Sequence, residues 1–136
     1  MIAAVCAWHE RHEAAANEID NRLAVRARMF VAAPALLETY AVLTRLPPPH
    51  RLSPQTTLTL LERNFLKLGT VVALNAKIYQ ALLLAAPKKG IAGGRIYDAV
   101  IGACAEQARV SAVLTFNAGD FAALGQDYEI VVPGTS

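Results

Sequence analysis

Four short apolar runs, separated by helix-forming segments, constrain the fold of this chain more than any other feature. The runs are RMFVAA (28–33), TVVAL (70–74), SAVLTF (111–116) and YEIVV (128–132). Their length and their β-branched and aromatic residues are typical of buried strands, and no hairpin turn signal joins one run to the next. Strands that alternate with helices predict an α/β layered fold with a mainly parallel sheet.

The helices between these runs have recognisable start and stop signals. They are predicted at 8–27, 34–46, 53–67, 75–86 and 95–109. Ser53 and Asn75 are residue types that cap helix N-termini with their side chains. The prolines at 47–49 end the second helix. Four apolar residues of that helix are expected to share one face: Leu36, Leu37, Tyr40 and Leu43. Residues 117–121, NAGDF, are expected to form a turn.

Length and composition predict a single folded domain over residues 1–136. Hydrophobic residues make up 54 % of the 136-residue chain, so it can bury a core and is not a disordered polymer. Its most apolar stretch, residues 78–87, is well short of the roughly 20 residues that a membrane span needs. Cys6 and Cys104 lie in apolar segments and lack the spacing of a metal site. We therefore expect a reduced, cytoplasmic protein with two buried thiols and no membrane partner.

The distribution of charge is more informative than the net charge of +2. Arginine and lysine residues run along the chain, whereas acidic residues thin out after Glu62. This distribution is compatible with a polyanionic ligand such as a nucleic acid. Scattered surface charge is the alternative interpretation.

Three acidic side chains and one amide are predicted to meet at one edge of the sheet. Glu38 lies in the early turns of the helix that follows the first apolar run, and Asp98 lies in the first turns of the helix at 95–109. Asn117 and Asp120 directly follow the strand at 111–116. The stretch of helix after Asp98 and the strand that returns have similar lengths, about 17 and 20 Å, so the chain brings Asn117 level with Asp98. Open α/β sheets bind their ligands at this edge.

Asp98 is the most specific of these residues, because a buried carboxylate without a partner costs several kcal/mol. On a helical wheel the buried stripe consists of Ile96, Val100, Cys104 and Ala108. Asp98 falls on the flank of this stripe, in line with the small residues Gly102 and Ala105, which suits a small pocket. Each site residue also has a simpler interpretation: the helix dipole for Asp98, solvation for Glu38, and a turn role for Asn117 and Asp120.

Carboxylates without cysteine or histidine form a hard oxygen site, which suits Mg²⁺ or Mn²⁺ rather than Zn²⁺. We expect Glu38 and Asp98 to hold such an ion, and Asn117 and Asp120 to position water or the metal, with Asp120 as the third candidate ligand. A cation of this kind orients water and stabilises charge on a phosphodiester. Three basic residues near the site are candidates for contacts with the nucleic-acid backbone: Lys88, Lys89 and Arg95.

Two other motifs do not match the chemistry that they suggest. The histidines of HERHE (9–13) are three residues apart, whereas a zinc-protease helix needs them four apart, so an amphipathic helix surface is expected. GIAGGR (90–95) matches neither glycine-rich phosphate-binding motif and is interpreted as a flexible helix start.

Taken together, these residues resemble the PIN-domain ribonucleases, particularly the VapC-type toxins of bacterial toxin–antitoxin pairs. The resemblance runs through HERHEAA, LLETYAVLTRLP, RIYDAVIGACA and VLTFNAGDF, and so over nearly the whole chain. It implies a PIN-like three-layer α/β/α fold and a dimeric, Mg²⁺- or Mn²⁺-dependent endoribonuclease that cleaves RNA. It also implies a cognate VapB-like antitoxin whose tail fills the acidic groove. By position it makes Glu38, Asp98, Asn117 and Asp120 the catalytic residues, with Asn117 at the fourth acidic position of the family and Asp120 as its support or substitute.

The sequence departs from the family pattern at its start. The first acid of the family sits in an Asp-Thr/Ser-Asn-like stretch at the end of a first central strand, whereas this sequence opens with MIAAVCAWHERH. Glu10 and Glu13 do not match that acid. We expect either a start that has been set too far downstream or an N-terminally shortened chain. A shortened chain would lack the first central strand or improvise one from residues 1–5, and loss of a ligand would lower its metal affinity.

Two alternative functions remain from the sequence. The first is a catalytically impaired PIN-like module that dimerises or binds an antitoxin without cleaving RNA. The second is an unrelated α/β ligand-binding domain.

Overall fold

The computed structural model describes residues 1–122 and 127–135, apart from the side chains of residues 120 and 122. The chain divides into two compact units, residues 1–71 and residues 72–135. Each unit is built from its own helices and strands around its own apolar cluster. The single-domain organisation over residues 1–136 stays a prediction.

The first unit contains most of the helices. Its elements are α1 (Ile2–Val5), α2 (His12–Ala24), β1 (Met29–Ala32), α3 (Ala33–Arg45), α4 (Pro54–Leu61), a π-helical turn (Glu62–Leu66) and β2 (Gly69–Val72), whose last residue belongs to the second unit. Strands β1 and β2 are hydrogen-bonded neighbours in a two-stranded sheet. The helix predicted at 53–67 is therefore present, but its last part winds as a π-helical turn.

The second unit contains the predicted strands at 111–116 and 128–132. Its elements are α5 (Ala76–Ala85), α6 (Arg95–Ala108), β3 (Ala112–Leu114), α7 (Ala118–Ala122) and β4 (Glu129–Val131). Strands β3 and β4 are parallel, as predicted, with Val113 opposite Ile130. Hydrogen bonds from Glu129 N–H to the Ser111 carbonyl (2.9 Å) and from Thr115 N–H to the Val131 carbonyl (3.0 Å) accompany this pairing.

Both predicted N-caps are confirmed. The Ser53 hydroxyl accepts the Thr56 N–H at 3.1 Å, and the Asn75 side-chain oxygen accepts the Ile78 N–H at 2.9 Å. Each cap satisfies one of the backbone donors that a helix leaves open in its first turn. The local sequence therefore fixes the starts of α4 and α5.

Three local predictions at other positions were wrong. Residues 2–5 form a helical turn rather than an improvised strand, since alanine is the best helix former. Helix α2 begins at His12 rather than at Trp8. NAGDF contains the short helix α7 rather than a turn, because the Phe121 N–H reaches the Asn117 carbonyl in a helical hydrogen bond of 3.4 Å.

The core of the first unit corrects the predicted face of α3. Val31, Leu61 and Phe65 form the buried cluster, against which Leu36 packs. Leu37 is 74 % exposed and Tyr40 is also exposed, whereas Thr39 and Leu43 are buried: Thr39, Leu43. Thr39 can occupy a buried position because its hydroxyl donates to the Ala35 carbonyl at 2.7 Å.

The core of the second unit joins α6 to α7 and β4. Ala105, Phe121 and Tyr128 are buried together, and Ile101 and Ile130 pack against them. This cluster anchors the middle of α6 and thereby positions its first turn.

No helix within residues 1–122 and 127–135 is long and apolar enough to cross a membrane. This finding agrees with the expectation that residues 78–87 are not a membrane span.

Candidate active site

Asp98 lies in the first turn of α6 and is half-buried. The buried residues of this helix are Ala99, Val100, Gly102, Cys104 and Ala105. The helical wheel placed Gly102 and Ala105 on the flank of a narrow stripe, which was wrong, because both are buried and the buried face is broader. Asp98 therefore stands at the N-terminal end of a row of small buried residues, one turn before Gly102. The positive end of the helix dipole favours a carboxylate at this position.

Two contacts hold α6 against the segment that follows β2. The Gln107 side chain donates to the Ala73 carbonyl at 2.8 Å, and the Cys104 thiol lies 4.0 Å from the Val72 carbonyl. Burial raises the pKa of Cys104, so this thiol stays protonated at neutral pH. Cys6 in the first unit is also buried, and burial raises its pKa in the same way. The prediction of two buried thiols is confirmed.

Asn117 lies at the junction between β3 and α7. Its N–H donates to the Thr115 hydroxyl at 3.0 Å, and its carbonyl accepts the Phe121 N–H. Its side chain is exposed. These backbone contacts give Asn117 a structural role as the residue before a short helix, and they leave its amide on the surface. The backbone of Asp120 belongs to α7, and its side chain lies outside the described residues.

The structure brings the helices of Asp98 and Asn117 into contact. Helix α6 packs on α7, and Ile101 and Ala105 share a cluster with Phe121. Asp98 precedes Ile101 by one turn of α6, and Asn117 precedes Phe121 by one turn. A direct approach of the two polar side chains stays a prediction, which this packing supports.

Glu38 is exposed on α3 of the first unit. Its carboxylate lies near the amino group of Met1. Burial lowers the pKa of that amine, while the Cys6 and Glu38 groups act in the opposite direction. The convergence of Glu38 with Asp98 stays a prediction, because these residues belong to different units.

The donor atoms fit a hard divalent cation by type, since carboxylate and amide oxygens are the ligands that Mg²⁺ and Mn²⁺ prefer. Across the described part of the chain, no group of three His, Cys, Asp or Glu side chains lies close enough to hold a metal ion. Mg²⁺ commonly needs only one or two protein carboxylates, because it keeps several waters and binds substrate phosphates. Asp98 can supply one such carboxylate in the second unit.

The three basic residues predicted to contact RNA lie close to Asp98 in the chain and on the surface. Lys88 and Lys89 lie in the connection between α5 and α6, and Arg95 is the first residue of α6. All three are exposed. Positive charge therefore precedes the helix that carries Asp98.

The structure also shows an aromatic pair that the sequence did not predict. The rings of Trp8 and His50 lie 4.3 Å apart between centroids. The two residues are distant in the sequence and belong to no shared periodic pattern. The position of Trp8 in the segment HERHEAA was the only signal, and it was interpreted as an ordinary helix surface.

Comparison with known proteins assigns the chain to a family. Residues 1–126 match the PIN domain. Over 108 residues the chain is 36 % identical to Ribonuclease VapC40 of Mycobacterium tuberculosis, in both strain CDC 1551 / Oshkosh and strain ATCC 25618 / H37Rv. That match covers 79 % of this chain and 75 % of the relative. Ribonuclease VapC27 of Mycobacterium tuberculosis (strain ATCC 25618 / H37Rv) is 33 % identical over 107 residues, which cover 79 % of this chain and 65 % of that protein.

No solved structure matches the chain at a significant level. The PIN match confirms the predicted three-layer α/β/α class and excludes an unrelated α/β ligand-binding domain. It spans all four predicted site residues: Glu38, Asp98, Asn117 and Asp120. The chain belongs to the PIN-domain family, in the group of VapC-type ribonucleases.

Proposed function

We propose that this chain is a divalent-cation-dependent endoribonuclease, the toxin of a type II toxin–antitoxin pair, acting in the cytoplasm. The observation that carries the proposal is the PIN match over residues 1–126, together with 36 % identity to a relative named as a ribonuclease. The half-buried Asp98 at the start of α6 supports it, because it supplies an anionic oxygen ligand on a firmly packed helix.

In this proposal Asp98, Glu38 and Asp120 hold Mg²⁺ or Mn²⁺. When bound, such a cation stabilises negative charge on the phosphodiester and orients a water. Asn117 positions that water through its exposed side-chain amide, which can accept one hydrogen bond from water and donate another. The backbone contacts of Asn117 with Thr115 and Phe121 hold the residue in place. The first turn of α6 keeps Asp98 ionised through the helix dipole.

The RNA backbone is held by Lys88, Lys89 and Arg95 in this proposal. All three are exposed, and they lie on the segment that leads into the first turn of α6. Each phosphate contact that a cation makes releases counterions, so binding becomes weaker as salt rises. Exchange of Lys88 and Lys89 for glutamine is expected to weaken RNA binding and to reduce its salt dependence by about two phosphate contacts.

The direct test is cleavage of RNA by the purified chain with Mn²⁺, with Mg²⁺ and with a chelator. Cleavage is expected to require the cation and to fall at least about tenfold in Asp98→Asn, which removes the anionic ligand. Glu106→Gln is the matched control, since Glu106 is an exposed acid on the same helix. Cleavage in the chelator, or equal rates for Asp98→Asn and Glu106→Gln, would reject the proposal.

The second candidate is a catalytically impaired module that binds protein partners without cleaving RNA. It is favoured by α5, which is apolar and has no buried residue. Leu83 and Leu84 of this helix are 70 % and 76 % exposed. Exposed apolar side chains in this number mark a protein interface. Absence of cation-dependent cleavage, together with retained dimer formation, would select this candidate.

Both candidates share the same proposed partners, a second copy of the chain and a VapB-like antitoxin. We assign the exposed leucines of α5 to the homodimer. Analytical ultracentrifugation is expected to show a dimer for the native chain and a monomer for Leu83→Lys/Leu84→Lys. A dimer in both proteins would place the interface elsewhere.

A further inference from the structure

Trp8 and His50 form a partly exposed aromatic pair in the first unit. Their ring centroids are 4.3 Å apart with an interplanar angle of 32°, and the His9 ring lies 5.9 Å from Trp8. Trp8 is 46 % exposed, and His50 is also exposed. A large aromatic ring that leaves nearly half of its surface in water has little role in a core.

Hydrogen bonds fix the backbone on both sides of the pair. On the side of Trp8, the His9 N–H donates to the Cys6 carbonyl at 3.0 Å. The Arg11 N–H donates to His9 Nδ1 at 3.1 Å. On the other side, the His50 N–H donates to the Pro47 carbonyl at 3.1 Å. Rings held in this way lose little conformational entropy when a ligand binds.

The segments that carry the pair supply positive charge. Arg11, Arg45 and Arg51 are exposed there, against two exposed acids, Glu10 and Glu13. Arg51 Nε donates to the Leu46 carbonyl at 2.8 Å, which fixes this guanidinium beside the His50 backbone. Flat aromatic faces next to guanidinium groups are the surface on which unpaired RNA bases stack.

We infer that Trp8 and His50 form a platform on which an unpaired RNA base stacks, with Arg45 and Arg51 contacting the adjoining phosphates. The inference rests on the proposed ribonuclease function and adds a feature of its substrate, a single-stranded segment. The platform and Glu38 belong to the same unit: Arg45 ends α3 two turns after Glu38, about 10 Å along the helix axis. RNA held on the platform therefore lies near one of the predicted catalytic residues.

The chain offers a direct probe, because Trp8 is its only tryptophan. The protein is Asp98→Asn with a chelator present, so that cleavage plays no part. Its fluorescence is recorded while a single-stranded oligoribonucleotide of mixed sequence is added. Stacking is expected to quench the emission. An abasic oligoribose-phosphate of the same length provides phosphates without bases and is expected not to quench; equal quenching by the two polymers would overturn the inference.

Variants test the same point through affinity for the labelled oligoribonucleotide, measured by fluorescence anisotropy. Trp8→Ala is expected to weaken binding by about 5- to 100-fold, the usual range for loss of one stacked base, and Trp8→Phe by less. Tyr79→Ala is the matched control, since Tyr79 is 41 % exposed and lies outside the platform. Unchanged binding by Trp8→Ala, with its circular dichroism spectrum intact, would overturn the inference even if the native chain cleaves RNA. Quenching by RNA without any cleavage by the native chain would reject the proposed ribonuclease and leave the platform in place. A native chain that does not bind RNA would reject both.

Discussion

Replacement of Tyr128 by phenylalanine is expected to stabilise the protein. Tyr128 is only 8 % exposed and packs with Ala105 and Phe121 in the core of the second unit. Within the described residues its hydroxyl oxygen is buried without a hydrogen-bond partner. Phenylalanine keeps the ring in this cluster and removes the unsatisfied polar group.

The size of the effect follows from the cost of that group. A buried hydroxyl without a partner costs about 1–3 kcal/mol, which Tyr128→Phe recovers. For a chain of this length, 1 kcal/mol corresponds to about 3.5 °C in Tm. Differential scanning calorimetry at pH 7 is therefore expected to show a rise in Tm of about 3–10 °C. Tyr97→Phe is the control, because Tyr97 is 60 % exposed and its Tm is expected to stay unchanged.

The same variant alters the stability of the protein at high pH. Burial, and to a smaller extent the charge of Glu106, raise the pKa of Tyr128 above its usual value of 10.0. Between pH 10 and the higher pKa of the folded protein, only the unfolded chain loses this proton, so the free energy of unfolding falls as pH rises. Tyr128→Phe is expected to lack this part of the fall. A lower Tm for Tyr128→Phe at pH 7 would show that the hydroxyl has a partner and would refute the reasoning.

Three further predictions concern the core, a cap and the thiols. Leu43 is fully buried, so Leu43→Ala is expected to lower the free energy of unfolding in urea by about 2–5 kcal/mol. Leu83→Ala, at a 70 % exposed position, is expected to change it by less than about 0.5 kcal/mol; equal losses would contradict the assigned core. Ser53→Ala removes the cap of α4 and is expected to cost about 0.5–2 kcal/mol in the same assay, whereas Ser53→Asn is expected to retain most of the stability. Cys6 and Cys104 are buried with raised pKa values, so Ellman's reagent is expected to modify them slowly in the native protein and rapidly in urea. Above pH 9.0 only unfolded thiols ionise, so stability is expected to fall as pH rises through this window.

The sequence predicts those parts of the fold that local chemistry determines. Ser53 and Asn75 start α4 and α5 because their side chains accept nearby N–H groups, a contact that needs no distant partner. The runs at 111–116 and 128–132 contain the parallel strands β3 and β4. The combination of motifs with Glu38, Asp98 and Asn117 was specific enough to indicate the family before any comparison.

Burial was harder to predict, because it depends on which elements pack on a helix from each side. Gly102 and Ala105 are buried, and the pattern of large apolar residues on α6 does not show this. Thr39 is buried although it is polar, since its hydroxyl is satisfied within α3. The pairing of Trp8 with His50 depends on how α1, α2 and α3 pack, and no local or periodic signal carries that information.

The central claim is that Asp98 holds a divalent cation, and Mn²⁺ binding tests it most directly. Electron paramagnetic resonance measures the signal of free Mn²⁺ as protein is added, and so gives the affinity without any RNA. The native chain is expected to bind Mn²⁺, Asp98→Asn to bind it at least about tenfold more weakly, and Glu106→Gln to bind it as the native chain does. Equal affinity of the native chain and Asp98→Asn, or no binding by the native chain, would contradict the claim.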